Sequence, residues 1–219
     1  MNITLTINSN KHEIECAPSE TLLSTVRRLG YFGVKFGDEQ GLSGADTVLL
    51  DGKPVNAGSM LAAQAEGHNV VTIEALGEHP DQGWKKTDGL NPLQQAFVES
   101  GAIQCGFCTP AQILAAKALL EKNSNPSEEQ VREAIAGVLC RCTGYLKPVQ
   151  AVLKAAAVMR GEGTQVDRET STQVKMDSSG HGGDSPVYVS PFLPVSETLV
   201  QTNIMPRVIV TPQTETYQT

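Results

Sequence analysis

Two tight cysteine pairs constrain this chain more than any other feature. Cys105 and Cys108 form a C-x-x-C, Cys140 and Cys142 form a C-x-C, and 31 residues lie between the pairs. Pairs at such spacing suit metal, because thiolates bind soft and borderline ions strongly. Five cysteines in all, an odd number, argue against a disulfide framework. The opening residues MNITLTINSN carry neither the basic nor the apolar region of a secretory signal, so a reducing, cytoplasmic setting is expected. Cys16 stands alone in HEIEC and reads as a small buried hydrophobe at a strand end rather than a reactive thiol. A net charge of −7 without a Lys/Arg-rich run excludes nucleic acid as a natural partner. No run approaches the ~18 apolar residues of a transmembrane helix. At 219 residues, 40% hydrophobic and 5% aromatic, the chain has room for two small domains with cores built on Ala, Val, Leu and Ile.

Along the chain, residues 1–76 read as a compact α+β unit. Ile3, Leu5 and Ile7 alternate with polar residues as in a half-buried strand, Asn8-Ser9-Asn10 signals a turn, and Ile14 and Cys16 continue on a second strand. Ser19 is the expected N-cap of a helix carrying Leu22, Leu23 and Val26 and stopped by Gly30. Thr47–Leu50, Asp51-Gly52 and Lys53–Asn56 spell a hairpin with a tight turn, and Val70, Val71 and Ile73 supply a last strand. This is the element order of a β-grasp domain. Residues 77–90 are polar and Gly-rich, hence a linker.

Residues 91–160 carry helix signals only. A first helix is expected over Pro92–Ser100. A second is expected to be capped by Thr109, with Pro110 at its first position and Gln112 closing a capping box; a third follows the Ser127/Gln130 box to about Val138. A fourth runs from near Pro148 to Arg160. Both cysteine pairs then fall in inter-helix loops, which an antiparallel four-helix bundle would bring to one end. Residues 161–219 differ in kind: polar and Gly/Ser-rich at first, then Pro-punctuated and β-branched. Seven acidic and three basic residues after position 160 give this tail −4 of the net charge. A disordered tail and an extended arm laid on a partner are the two readings, and the arm is the one adopted.

QCGFCTP (residues 104–110) followed by LCRCTGY (residues 139–145) resembles the small iron–sulfur subunit of the molybdenum hydroxylases, the family of xanthine dehydrogenases, aldehyde oxidoreductases and carbon monoxide dehydrogenases. The resemblance covers roughly residues 1–160, with TVLLDGKPVN at the hairpin included. It implies a plant-ferredoxin-like β-grasp domain and a four-helix domain, each carrying a 2Fe–2S cluster in the family. It implies Cys105, Cys108, Cys140 and Cys142 as the ligands of the helical-domain cluster, with Gln104 and Cys142 near the pterin of a large molybdopterin-binding subunit. Backbone N–H groups of Gly106 and Phe107 can hydrogen-bond the sulfurs, and these bonds together with the charge of Arg141 would raise the reduction potential. Structural zinc also takes four thiolates, but a C-x-C is tight for tetrahedral zinc. Ala111 stands where the family has Gly after CTP.

The first domain departs from the family pattern C-x4-C-x2-C plus a later cysteine. The spacing persists, yet the four positions read Asp38, Ser43, Asp46 and Gly58. A plant-type cluster is therefore not expected, since Gly58 offers no side chain. The acidic residues Asp38, Glu39 and Asp46 read as a solvated loop, with a calcium or magnesium site as the alternative.

In the family, electrons pass from molybdenum through both clusters, usually to a flavin subunit. With one cluster the onward route changes: another redox subunit docks differently, the first domain serves as a docking wedge, or the cluster is a structural centre. The function expected is that of an electron-transfer subunit with one 2Fe–2S cluster in a molybdenum-hydroxylase-like oxidoreductase. The alternative is a non-redox assembly subunit with zinc or a silent cluster. His12, His68, His79 and His181 are scattered, and no nucleophile or acid–base pair is arguable, so bond-making chemistry is assigned to a separate subunit.

Overall fold

The computed structural model describes residues 1–38, 40–79, 84–85 and 89–162. Glu39, His181 and the whole tail beyond residue 162, including the expected arm, lie outside the described residues. All of the described residues fall within one compact unit. It is a mixed α/β structure: a five-stranded sheet, a two-stranded ladder and, among the described residues, five α-helices.

β1 (Asn2–Ile7) and β2 (Asn10–Glu15) pair antiparallel around a turn in which Asn8 and Ser9 both have positive φ. The alternation in β1 buries Ile3, Leu5 and Ile7 on one face. β3 (Thr47–Leu50) and β4 (Lys53–Asn56) form the expected hairpin, with Asp51 at φ 48° and Gly52 at φ 78°, as a type I′ turn requires. β5 (Asn69–Val71) lies parallel to β1 and antiparallel to β3, giving the order β2-β1-β5-β3-β4. Ile73 is not part of β5 but begins a 3₁₀ turn, Ile73–Ala75.

α1 (Leu22–Arg28) covers the sheet with Leu22, Leu23 and Val26. Its N-cap is Thr21, whose hydroxyl accepts the Ser24 N–H at 3.1 Å, rather than Ser19. Thr21 also bridges to Leu61 in extended pairing, and this tertiary contact fixes where the helix starts. Cys16 is 4% exposed within this core, as its place in the alternation implies. Each fully buried Leu, Ile or Val here contributes roughly 1.5–3 kcal/mol.

Within the expected linker, β6 (Glu78–His79) and β7 (Trp84–Lys85) form a short antiparallel ladder. Four helices follow: α2 (Pro92–Glu99), α3 (Thr109–Lys122), α4 (Glu128–Ile135) and α5 (Leu146–Met159). Asn91 caps α2 and Ser127 caps α4, each in a complete capping box with Gln94 and Gln130.

The Thr109 box does not form. Cys108 already has helical dihedrals (φ −81°, ψ −14°), so Thr109 is inside α3 and makes no side-chain cap. Gln112 is instead fully buried, and neither atom of its amide finds a partner. α3 is the central helix, buried on most of its circumference by Ala111, Ile113, Leu114, Ala115, Ala116, Ala118 and Leu120. It touches α2, α4 and α5, and also β3 and β4. Phe97, Leu114, Val131, Ile135 and Val152 fill the core among the helices. No helix among the described residues is long and apolar enough to cross a membrane.

Candidate metal centre

The α2–α3 loop and the α4–α5 loop bring the four paired cysteines together. Cys105 Sγ and Cys142 Sγ are 3.5 Å apart. Cys140 packs against the cluster of Cys108, Ala111 and Val138, and the Cys108 and Cys140 thiols perturb each other, so the thiols pair two by two, one partner from each loop. Among the described residues, no three His, Cys, Asp or Glu side chains converge tightly enough to hold a single metal ion.

The two pairs differ in exposure. Cys105 and Cys142 are at the surface, whereas Cys108 is 6% exposed and packs with Ala111 and Val138, with Cys140 against them. Burial, reinforced by the neighbouring Cys140, pushes the Cys108 thiol up to about 12. Cys105 is shifted the other way, first by the Phe107 N–H that it accepts and then by Cys142. Cys142 is raised by its bond to Cys105. At Cys140 burial alone would raise the thiol, but the hydroxyl and N–H of Thr143 outweigh it and hold the thiol below its ordinary value. A positively charged centre would override these differences and deprotonate all four.

Each loop has its own devices. Gly106 sits at φ 80°, and this left-handed step turns the Phe107 N–H toward Cys105 Sγ. In the other loop, Thr143 Oγ lies 3.0 Å from Cys140 Sγ and accepts the Tyr145 N–H at 3.2 Å. The Tyr145 hydroxyl accepts the Cys140 N–H at 2.7 Å and donates to the Val138 carbonyl at 3.2 Å. Tyr145 itself is left-handed (φ 66°), a conformation that costs a non-glycine residue about 1–2 kcal/mol. Sequence reasoning missed Thr143 and Tyr145; the signal was their place one and three residues after the last cysteine.

Gln104 and Arg141, the sequence neighbours of Cys105 and Cys142, are exposed like those two cysteines. Phe107 is 45% exposed beside them. The Asp38, Ser43, Asp46 and Gly58 positions lie within the first 76 residues, just before β3 and just after β4, and the reading of a solvated acidic loop needs correction at Asp46. Asp46 is fully buried; its Oδ2 accepts the Gly58 N–H at 2.6 Å, while Oδ1 has no partner. Burial raises its carboxyl above the ordinary range.

Residues 72–153, which contain all four paired cysteines, match the family model described as a 2Fe-2S binding domain. The small FeS subunit of nicotinate dehydrogenase from Eubacterium barkeri is 43% identical over 149 residues, 67% of this chain and 89% of that subunit. Aldehyde oxidoreductase from Megalodesulfovibrio gigas is 44% identical over 167 residues, 74% of this chain but 17% of that longer protein. Among solved structures, a chain of quinoline 2-oxidoreductase from Pseudomonas putida 86 superposes with a TM-score of 0.66 at 38% identity, over 74% of this chain and 98% of that one.

Proposed function

Since the chain belongs to the molybdenum hydroxylase family, among its small iron–sulfur subunits, we propose that it carries one 2Fe–2S cluster beside the molybdopterin of a large catalytic subunit and passes electrons for that subunit. The observation that carries this reading is the two-by-two meeting of the thiols. A 2Fe–2S core needs two thiolates on each of two irons, and the chain offers Cys105 with Cys142 and Cys108 with Cys140. When bound, such a cluster supplies reversible one-electron storage.

The chain's own residues set the environment of that storage. The Phe107 N–H and the Thr143 hydroxyl and N–H are donors aimed at sulfur, and donors of this kind favour the more negative, reduced state. The exposed Arg141 acts in the same direction. Cys108 and Cys140 lie on the protein side, and Cys105, Cys142, Gln104 and Arg141 on the open side, which is the side we assign to the molybdopterin-bearing partner.

The finer architecture follows from the same reading. Residues 1–76 form a β-grasp, ferredoxin-like domain that has lost its cluster ligands, 77–90 a linker, 91–160 a four-helix 2Fe–2S domain, and 161–219 an arm that wraps a partner. A flavin subunit or another redox chain takes the electrons onward. Truncation after Arg160 is expected to leave the cluster intact and to weaken assembly with the large subunit; an unchanged complex on gel filtration would contradict the arm.

The direct test of the function is optical. The purified chain should show charge-transfer absorption that dithionite bleaches and air restores, with a single paramagnetic signal when reduced. Zinc without iron would replace electron transfer by an assembly role.

A further inference from the structure

The loop that would have wrapped a second cluster is not slack: although Leu42 stays 69% exposed, carboxylate oxygens take its backbone donors. Asp38 Oδ1 accepts the N–H groups of Gln40 and Leu42 at 2.8 and 3.0 Å, and Oδ2 accepts that of Ser43 at 2.8 Å. The Ser43 hydroxyl adds a further bond to the same carboxylate. Farther along, Asp46 accepts the Gly58 N–H, and Asn56 Nδ2 donates to the Gly41 carbonyl at 3.0 Å.

What this loop then touches is the cysteine site. The Ser43 carbonyl accepts the Leu139 N–H at 2.8 Å, one residue before Cys140. Gly44, at φ 64°, lies so close to the other backbone that a Cβ there would stand 2.0 Å from the Gly137 carbonyl oxygen. Val138, between these two contacts, packs against Cys108 and Ala111. A continuous path of short bonds therefore runs from the Asp38 carboxylate through Ser43 and Leu139 to the backbone that leads into Cys140.

We propose that Asp38 is a positioning residue for the four-cysteine site: by holding the Ser43–Gly44 segment in place, it fixes the Leu139 backbone and thereby the Cys140–Cys142 arm. The inference rests on the reading that these cysteines hold a 2Fe–2S cluster. It explains how the first domain serves a redox subunit after losing its own ligands. The donors that surround an iron–sulfur core are satisfied by a carboxylate instead, and the loop persists as a brace.

The test uses the full-length chain with its cluster, challenged with an iron chelator while visible circular dichroism is followed. Asp38→Ala should release iron about 10- to 100-fold faster than the parent, the range for loss of a residue that supports metal ligands, with an altered dichroism band. Gly44→Ala should act in the same direction by pushing the loop off Gly137. Asp38→Asn, which keeps one acceptor oxygen, should fall between and carries the test should the alanine variant fail to fold. Val26→Ala, in the α1 core, should leave rate and band as in the parent. Parent-like release and dichroism in the Asp38 and Gly44 variants would overturn the inference, as would an equal acceleration by Val26→Ala. A parent chain without iron would overturn the cluster reading itself.

Discussion

Replacing Tyr145 with Phe removes one oxygen and leaves the ring in place. That oxygen closes the α4–α5 loop from inside, accepting from the Cys140 N–H at 2.7 Å and donating to the Val138 carbonyl at 3.2 Å. Without it, a donor and an acceptor on either side of Leu139 lose their partner. A buried polar group left unsatisfied costs about 1–3 kcal/mol. Val138 is 2% exposed but Cys140 is only half-buried, so about 2 kcal/mol in total is the expected loss. The hydroxyl also restrains Tyr145 in its left-handed conformation, so the loss falls on the loop that carries two of the four cysteines. The assay is urea unfolding of the full-length chain, reduced and stripped of metal, with the midpoint expected to fall at unchanged slope. For a unit of this size, thermal melting should drop by roughly 4–8 °C. A loss below about 0.5 kcal/mol would refute the assignment of the hydroxyl as the loop's internal clasp.

Two carboxylates make opposite contributions to the pH dependence of stability. Hydrogen bonds from the Ser43 hydroxyl and the Leu42 and Ser43 N–H groups hold Asp38 below its ordinary value, so its contribution is present above about pH 4 and is lost as the pH falls. Burial holds Asp46 above its ordinary value, so its contribution is full below about pH 4 and shrinks as the pH rises through the raised value. Urea midpoints across pH should therefore show a flatter acid limb for Asp38→Ala and a flatter limb above pH 4 for Asp46→Asn; unchanged profiles would contradict both. Cys16→Ala should leave iron and sulfide content untouched, because Cys16 sits in the sheet core and away from the paired thiols, and metal analysis showing a loss would place it in the site.

The elements that could be read from sequence are those fixed by local chemistry. Asp51-Gly52 forces the β3–β4 hairpin, and Ser127 with Gln130 starts α4, because each depends on residues a few positions apart. The misread elements are those where distant contacts decide. Thr109 looks like a cap, but the turn that brings Cys108 to Cys140 has already entered the helical region, so the box cannot form. Ser19 gives way to Thr21 because Thr21 is tied to Leu61 across the fold. The acidic loop looked solvated from its composition. Its structure depends on Gly58 N–H reaching Asp46 across 12 positions and on Gly137–Leu139 packing onto Ser43 and Gly44, neither of which any short window of sequence displays. The four cysteines were legible because their spacing is itself the chemistry. Thr143 and Tyr145 were not, because a hydroxyl's role depends on where its loop folds back.

The two cysteine pairs are proposed to hold one cluster, and the Asp38, Ser43, Asp46 and Gly58 positions none. Iron and acid-labile sulfide measured per full-length chain test this directly. Two irons and two sulfides, both abolished by Cys105→Ser with Cys142→Ser, are the predicted result. Four irons, or two that survive that double substitution, would contradict it.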